Sequence, residues 1–204
     1  MTKPFDVLDQ IGIDQKIVSA FEKISLALRM QAWMIAKPML LNPAQTQLLT
    51  FLLKHKNQVN RVGLLAKEFI ISKATISDTL SSLERKELIY KLFTPGCKRN
   101  FVIQLTPAGE KAARQADLYT AELLSAVNHI PGNARQKLFA ALGDIILHLH
   151  STGQIPVQRM CLSCKYHQQM GKQHYCNLLK RLLKVPDLQI DCPDYQILIP
   201  GEAV

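Results

Sequence analysis

Four of the five cysteines of this 204-residue chain lie in its last 44 residues, and their spacing suits a metal site. Cys161 and Cys164 form a C-x2-C pair, and Cys176 and Cys192 follow within about 30 residues. In a reducing compartment such clustered thiols favour metal binding over disulfides. Four thiolates close a tetrahedral zinc site, and they hold two-iron or four-iron clusters equally well. The sequence therefore predicts a metal centre at these cysteines, with zinc as first choice and an iron–sulfur cluster as the alternative.

Other residues near these cysteines leave further interpretations open. His174 has a spacing that would allow it to replace one thiolate, although a supporting or exposed position is the simpler reading, and His167 is a weaker candidate. Four unligated thiols are the plain alternative to a metal centre. Cys97 stands apart beside Lys98 and Arg99, two cations that would lower the pKa of its thiol and suit a redox switch. An isolated surface cysteine without a role is the simpler interpretation.

A second group of residues has the types that contact nucleic acid. Short polar side chains at the start of a helix let it approach the floor of a DNA groove, and helix N-terminal amides bind phosphate. Cations at a hairpin tip reach the DNA backbone or a neighbouring minor groove. The plain alternative is that these serines and threonines are only caps and exposed filler. The candidate DNA contacts are Arg61, Ser72, Lys73, Thr75, Ser77, Thr79, Lys98 and Arg99.

The charge distribution points to the same segment. The chain carries 25 Lys and Arg against 16 Asp and Glu, a net charge of +9. Residues 54–114 alone contribute +7, which is typical of a surface that binds a polyanion. A membrane surface would require a basic amphipathic helix, but the apolar stripes here are needed for a core. The N-terminus lacks the apolar region of a secretory signal and no stretch is long enough to span a bilayer, so a cytoplasmic protein is expected.

The hydrophobic pattern predicts the elements that position these residues. Apolar residues recur with helical period over 5–37, which should end before Pro38, and over 44–56, which begins after Asn42. Two short helices follow, the first with Leu64, Leu65 and Phe69 buried and the second running from 72 to about 86 with Ile76, Leu80 and Leu83 as its core stripe. Residues 89–93 and 101–105 read as a hairpin. A helix from 107 to about 128, capped by Thr106, and another from 131 to 152 precede a linker, residues 154–160.

Four short motifs in this order resemble the MarR (multiple antibiotic resistance regulator) family of winged-helix regulators. They are Leu64-Leu65-Ala66, Ser72-Lys73-Ala74-Thr75-Ile76-Ser77, Leu83-Glu84-Arg85-Lys86-Glu87-Leu88-Ile89 and Leu105-Thr106-Pro107-Ala108-Gly109, within a resemblance that spans roughly residues 10–152. The chain departs from the family pattern at Asp78, often Arg there, at Glu87, often Gly, and at the wing tip, Cys97 to Asn100. The cysteine-rich tail is similar to extensions carried by a subset of these proteins.

The resemblance implies a mainly α fold (an α+β winged helix) whose terminal helices form a homodimer that binds double-stranded DNA, more often as a repressor. We expect a dimerisation helix at 1–42, the winged helix-turn-helix at 43–106, further dimerisation helices at 107–153 and the metal-binding extension at 154–204. A small-molecule effector between the dimer helices and the DNA domain is a hypothesis. A monomeric cap is the alternative role of the flanking helices.

The motifs of common enzymes are missing from the sequence. It has no Ser-His-Asp pattern, no phosphate-binding glycine loop and no HExxH motif, and a four-cysteine zinc would leave no open catalytic position. We therefore predict that the chain is not an enzyme. The alternatives to a regulator with a structural or sensory metal site are an iron–sulfur redox sensor and a winged-helix adaptor that binds protein without specific DNA binding.

Overall fold

A computed structural model describes residues 12–56, 61–94, 97–155, 159–171 and 173–197, with backbone alone at 94 and 97–100. The chain divides into two compact units, residues up to 62 with 73–125, and residues 63–72 with 126 onwards. Its helices are α1 (Ile13–Ala36), α2 (Pro43–Lys54), α3 (Val62–Glu68), α4 (Lys73–Arg85), α5 (Pro107–Asp117), α6 (Ala121–Asn128) and α7 (Gly132–Ser151). Its strands are β1 (Ile89–Thr94), β2 (Cys97–Leu105), β3 (His167–Met170), β4 (Gln173–Cys176) and β5 (Arg181–Leu183).

Helix α2 forms the centre of the first unit. Asn42 accepts a hydrogen bond from the backbone N–H of Gln45, and the Gln45 side chain accepts one from the Asn42 N–H, which completes a capping box. The helix buries Leu48, Leu49 and Leu52 and packs against α1, α4 and α5. The predicted start of this helix is confirmed, and its end at Lys54 lies two residues before the predicted one.

The end of α4 determines how the hairpin leaves it. The Leu88 N–H bonds to the Leu83 carbonyl at 3.0 Å, and Glu87 has a φ of 56°, the pattern of a helix closed by a left-handed residue. Glycine adopts this conformation without steric cost, which gives a physical reason for the glycine that the family often carries there. Strands β1 and β2 then pair antiparallel, from Ile89 opposite Leu105 to Phe93 opposite Phe101.

The chain leaves the hairpin through a tight contact. Thr106 accepts a hydrogen bond from the Gly109 N–H at 3.0 Å, so the predicted cap of α5 is confirmed. The Thr106 hydroxyl also donates to the Glu87 carbonyl at 2.7 Å. A Cβ at Gly109 would lie 1.8 Å from the Leu88 carbonyl oxygen, so only glycine fits between α5 and the start of β1. The two ends of the hairpin are therefore joined at its base.

Two sequence predictions are corrected by the described residues, and one sheet was not predicted. Leu64 is exposed, because Leu65 and Ala66 are the buried residues of the seven-residue α3. The helix expected to run to 128 is interrupted by a 3₁₀ turn at Leu118–Thr120, where the Thr120 hydroxyl donates to the Asp117 carbonyl. The cysteine segment, which shows no long periodicity, contains a three-stranded antiparallel sheet in the order β3–β4–β5.

The second unit places α7 against the cysteine segment. Helix α7 contacts two 3₁₀ turns of that segment, Cys161–Ser163 and Val185–Asp187. Gly143 of α7 faces Leu162, and Met160 and Leu183 are buried. No helix among the described residues is long and apolar enough to cross a membrane.

Candidate functional site

Helix α4 separates its apolar and polar residues cleanly. Ile76, Leu80 and Leu83 are buried, with at most 1% of each residue exposed. Lys73 and Ser77 lie on the exposed face of the same helix. The predicted recognition helix therefore has a buried apolar side that packs in the first unit and an exposed polar side of the kind that enters a DNA groove. The exposed candidates on or next to this helix are Ser72, Lys73, Thr75 and Ser77.

The two hydroxyls farther along α4 are engaged with the helix backbone. Ser77 Oγ donates to the Lys73 carbonyl at 2.8 Å, and Thr79 Oγ1 donates to the Thr75 carbonyl at 2.8 Å. Thr79 is also half-buried, so it is the least accessible of the predicted contacts whose side chains the structure describes. Each hydroxyl keeps acceptor capacity in this geometry, since it uses only its single proton.

The hairpin is tied to α4 by charge. Lys91 Nζ of β1 lies 2.5 Å from Glu84 Oε2 of α4, and the same amine stands 5.5 Å from the centre of the Phe101 ring. This ion pair joins the predicted wing to the predicted recognition helix. The predicted wing contacts Lys98 and Arg99 belong to β2, and their side chains lie outside the described residues. Arg61 is exposed just before α3.

Two of the lysines in residues 54–114 form ion pairs with carboxylates of the same unit. Lys54 Nζ lies 2.8 Å from Asp117 Oδ1, and Lys56 Nζ lies 2.5 Å from Glu110 Oε1. The hydrogen bond from Lys56 is the largest influence that lowers the pKa of Glu110. These exposed ion pairs join the end of α2 and the turn after it to α5, and the net charge of +7 already includes Glu110 but not Asp117.

A broad open groove lies along α1 in the first unit. It encloses about 1100 Å³, including space open to solvent, and its wall combines aromatic rings with one cation. Phe21 and Trp33 of α1 and Tyr119 supply the rings, and Arg29 supplies the charge. This combination suits a flat ligand that carries an anionic group.

Helix α1 also exposes a row of large apolar side chains. Trp33 is 57% exposed and Met34 64%. Isolated surface hydrophobic residues are ordinary, but a contiguous set along one helix marks an interaction surface. Helices α6 and α7 expose further leucines and isoleucines. The exposed residues are Ile13, Ile17, Val18, Phe21, Ile24, Leu26, Met30, Trp33 and Met34 of α1, and Leu124, Leu138, Ile145 and Leu149 of α6 and α7.

All four predicted metal ligands line one small cavity in the second unit. Cys161, Cys164, Cys176 and Cys192 surround it together with leucines, and all four are free thiols. The four cysteines come from three parts of the segment. Cys161 begins a 3₁₀ turn and Cys164 closes it, with its N–H bonded to the Cys161 carbonyl at 3.0 Å. Cys176 ends β4, and Cys192 follows β5.

Backbone N–H groups point at two of these sulfurs. The Gln189 N–H donates to Cys161 Sγ at 3.2 Å, and the backbone of Asp194 provides a hydrogen bond to Cys192. Such donors stabilise thiolate ligands of metal sites. Burial, followed by weaker influences that include the neighbouring cysteines, nevertheless raises the pKa of Cys161 and Cys192 above that of a free thiol.

The histidines of this segment pair with each other. His167 Nε2 and His174 Nδ1 are 2.9 Å apart across the β3–β4 hairpin. His167 lines the cysteine cavity, whereas His174, the stronger candidate from the sequence, is not among the residues that line it. Burial, and then the charge of His174, lowers the pKa of His167.

The described side chains do not form a finished metal site. No group of three or more His, Cys, Asp or Glu side chains among them has the spacing needed to hold a metal ion. The cavity does supply the donor set for zinc, since four sulfurs line one space and N–H donors face two of them.

One contact of this unit was not anticipated from the sequence. Arg159 Nε lies 3.2 Å from Glu68 Oε2 of α3, with 19% and 31% of the two side chains exposed. The residues are 91 positions apart. A lone Arg in a linker and a lone Glu at a helix end give no signal that they meet, because only the folded second unit brings them together.

These elements define a winged helix-turn-helix protein with long flanking helices, and solved structures with this arrangement are similar to the chain. The chain has the fold of the MarR-family transcription regulators. The MepR–DNA complex of Staphylococcus aureus is 23% identical with a TM-score of 0.55, over 64% of this chain and 96% of that one. A MarR-family regulator of Listeria monocytogenes complexed with 26mer DNA is 19% identical with a TM-score of 0.56, over 66% and 89%.

A third structure is of Staphylococcus aureus MarR in complex with salicylate and kanamycin, 22% identical with a TM-score of 0.59, over 68% of this chain and 93% of that one. These similar structures are transcription regulators and not enzymes. About a third of this chain has no counterpart in them. No protein-family model matches the sequence, and no curated protein matches it significantly.

Proposed function

We propose that this chain is a cytoplasmic, sequence-specific DNA-binding transcription regulator in which α4 enters the major groove. The observation that carries the proposal is the polar, exposed face of α4 opposite a fully buried apolar face, within a fold shared with regulators solved on DNA. The positive charge of residues 54–114 supports attraction to phosphate. Repression is the more frequent outcome among the proteins that the chain resembles.

Two kinds of variant separate base reading from backbone attraction. Selection from a random duplex pool first provides a preferred site, and titrations then measure affinity for it and for an unrelated duplex. Lys73→Gln with Ser77→Ala should weaken binding to the preferred site about 10- to 100-fold and reduce the preference. Lys98→Gln with Arg99→Gln should weaken binding to both duplexes alike and flatten the salt dependence.

Lys54→Gln is the control, because Lys54 pairs with Asp117 and should leave both affinities unchanged. If no preferred site emerges at physiological salt, the chain is a protein-binding adaptor and the regulator proposal fails. Unchanged affinity in the Lys98 and Arg99 variant would contradict the wing assignment.

We further propose that the chain acts as a homodimer through its flanking helices. The exposed apolar row of α1 supports this, since burying such side chains contributes about 1.5–3 kcal/mol each. A two-fold dimer would present two α4 helices to a pseudo-palindromic site.

Val18→Glu with Met34→Glu should convert a dimer to a monomer, measured by light scattering after size-exclusion chromatography. Leu92→Glu is the matched control, because Leu92 is similarly exposed but belongs to β1 of the hairpin and not to a flanking helix. A wild-type monomer at micromolar concentration would show that the helices form a monomeric cap instead.

The groove along α1 is the proposed site of a small-molecule effector. Aromatic rings and Arg29 provide stacking surfaces and a counter-charge for an aromatic carboxylate, the class to which the salicylate of the similar MarR structure belongs. Calorimetric titration with salicylate should detect millimolar or tighter binding that Arg29→Gln weakens about 10-fold, whereas Arg61→Gln should not change it. Absence of binding, or identical binding to the Arg29→Gln variant, would overturn this assignment.

The four cysteines are proposed to hold one zinc ion, with an iron–sulfur cluster as the alternative. The shared cavity and the N–H donors to Cys161 and Cys192 support this proposal. Zinc would take the four sulfurs as thiolates and displace their protons. Elemental analysis and an absorption spectrum of anaerobically purified protein identify the group. One colourless zinc per chain is expected, iron with sulfide and visible colour would replace zinc by a cluster, and the absence of both would overturn the site.

A further inference from the structure

The four-cysteine segment and helix α3 belong to the same compact unit. Residues 63–72, which hold nearly all of α3 and the turn after it, group with residues 126 onwards and not with the rest of the winged helix. Only Met160 separates Arg159 from Cys161, and Arg159 pairs with Glu68, the last residue of α3. The segment that carries the cysteines therefore reaches the first helix of the helix-turn-helix directly.

The backbone of Arg159 is held by the cysteines on both sides of the cavity. Its carbonyl accepts a hydrogen bond from the Cys192 N–H at 2.7 Å. Cys161 follows after the fully buried Met160, and the Cys161 N–H donates to the Gln189 carbonyl at 2.9 Å. A metal that draws Cys161 and Cys192 together would fix the backbone segment from which the Arg159 side chain extends.

Glu68, the other residue of this contact, ends a short helix that depends on tertiary contacts for its stability. Helix α3 has seven residues, and helices of this length are not stable by themselves. The turn that follows places Ile70 at a φ of 54°, a conformation that is strained for a β-branched residue. The Ile71 N–H bonds to the Ala66 carbonyl at 3.1 Å and closes the helix. Two residues later the chain enters α4, so the geometry at the end of α3 determines how the recognition helix is reached.

We propose that metal binding at the four cysteines orders helix α3 through the contact between Arg159 and Glu68, so that the occupancy of the site regulates DNA binding. This inference rests on the proposed metal site and assigns it a regulatory role. A metal that fixes the backbone of residues 159–161 would hold the guanidinium against Glu68. Loss of the metal would loosen this backbone and weaken the support of α3 at the strained turn.

Hydrogen exchange of α3 tests the inference without any DNA. Protein is prepared with thiols reduced, either stripped by a chelator or reloaded with Zn²⁺ alone, and zinc is counted in each sample. In the wild type, Zn²⁺ should slow exchange of the amides of residues 65–71 about 5- to 150-fold, the usual range of a coupling between sites. Arg159→Gln and Glu68→Gln should still bind one zinc per chain but lose this protection.

The charge-swapped double variant Arg159→Glu with Glu68→Arg should recover part of the protection, and the control Lys54→Gln should behave as wild type. The affinity for the selected DNA site should change with Zn²⁺ in the wild type but not in Arg159→Gln. Zinc binding with unchanged α3 exchange would overturn this inference alone. Absence of zinc binding would overturn the metal site as well, and the regulator proposal would still stand on its own DNA test.

Discussion

Cys164→Ser is expected to leave residues 159–197 unfolded while the first unit keeps its structure. Of the roughly forty described residues of this segment, only Met160 and Leu183 are buried. Two buried side chains offset only a small part of the conformational entropy that is lost when a segment of this length becomes ordered. We therefore expect the segment to depend on the metal proposed at its cysteines, because metal binding couples directly to folding in small domains of this kind.

The measurement is amide exchange with limited proteolysis, read separately in 159–197 and in α2. The Cys164→Ser variant should lose protection and become cleavable in 159–197, and chelation of the wild type should have the same effect. Cys97→Ser is the matched control, because it removes the cysteine outside the cluster and should bind zinc normally. A Cys164→Ser segment that stays protected without metal would mean that the four thiols are structural residues of an apolar core.

The sequence was sufficient for those parts of the fold that depend on local signals. The caps at Asn42 and Thr106 and the buried stripe of α4 were predicted and are confirmed, because a cap is set by neighbours within three residues and a stripe by helical period. The break after Asp117 was missed, since it depends on a single Thr120 hydroxyl that competes with the helix. The exposure of Leu64 was also missed, because three consecutive apolar residues do not say which of them faces inward.

The candidate functional sites also divide into those that a sequence pattern predicts and those that only the structure shows. The cysteine spacing identified four residues that do share a cavity, because a C-x2-C turn and two later thiols are a pattern in the sequence itself. The charge count pointed to residues 54–114, but it could not show that Lys54 and Lys56 pair with carboxylates in the fold. The contact between Arg159 and Glu68 joins residues 91 positions apart and has no local signal, so it required the structure.

Gly109→Ala is expected to destabilise the first unit by about 3 kcal/mol or more, although it adds only one methyl group. The new Cβ would lie 1.8 Å from the Leu88 carbonyl oxygen and 2.8 Å from its carbon, far inside contact distance. Both atoms belong to the backbone between α4 and β1, so no side-chain rotation relieves the clash. Overfilling a packed site costs about 1–3 kcal/mol where side chains can adjust, and more where they cannot.

Helix propensity alone predicts that a glycine-to-alanine change inside a helix is stabilising. A second helical glycine with space for a methyl group therefore serves as the control. Replacing a helical glycine by alanine stabilises a protein by about 0.5–1 kcal/mol where space allows. Gly143→Ala satisfies that condition, because Gly143 lies inside α7 and its added Cβ would meet Leu162 at an ordinary 3.7 Å. Chemical denaturation followed by circular dichroism should therefore show opposite shifts for the two variants.

The effect of Gly109→Ala on DNA binding also tests how the wing is positioned. Thr106 caps α5 through the Gly109 N–H and bonds to the Glu87 carbonyl, so any shift of α5 away from Leu88 moves the base of the hairpin. Gly109→Ala should thus weaken DNA binding even at temperatures where the protein remains folded. A Gly109→Ala protein with wild-type stability and DNA affinity would show that α5 and the hairpin are not locked together, and that the wing is positioned by its ion pair with α4 alone.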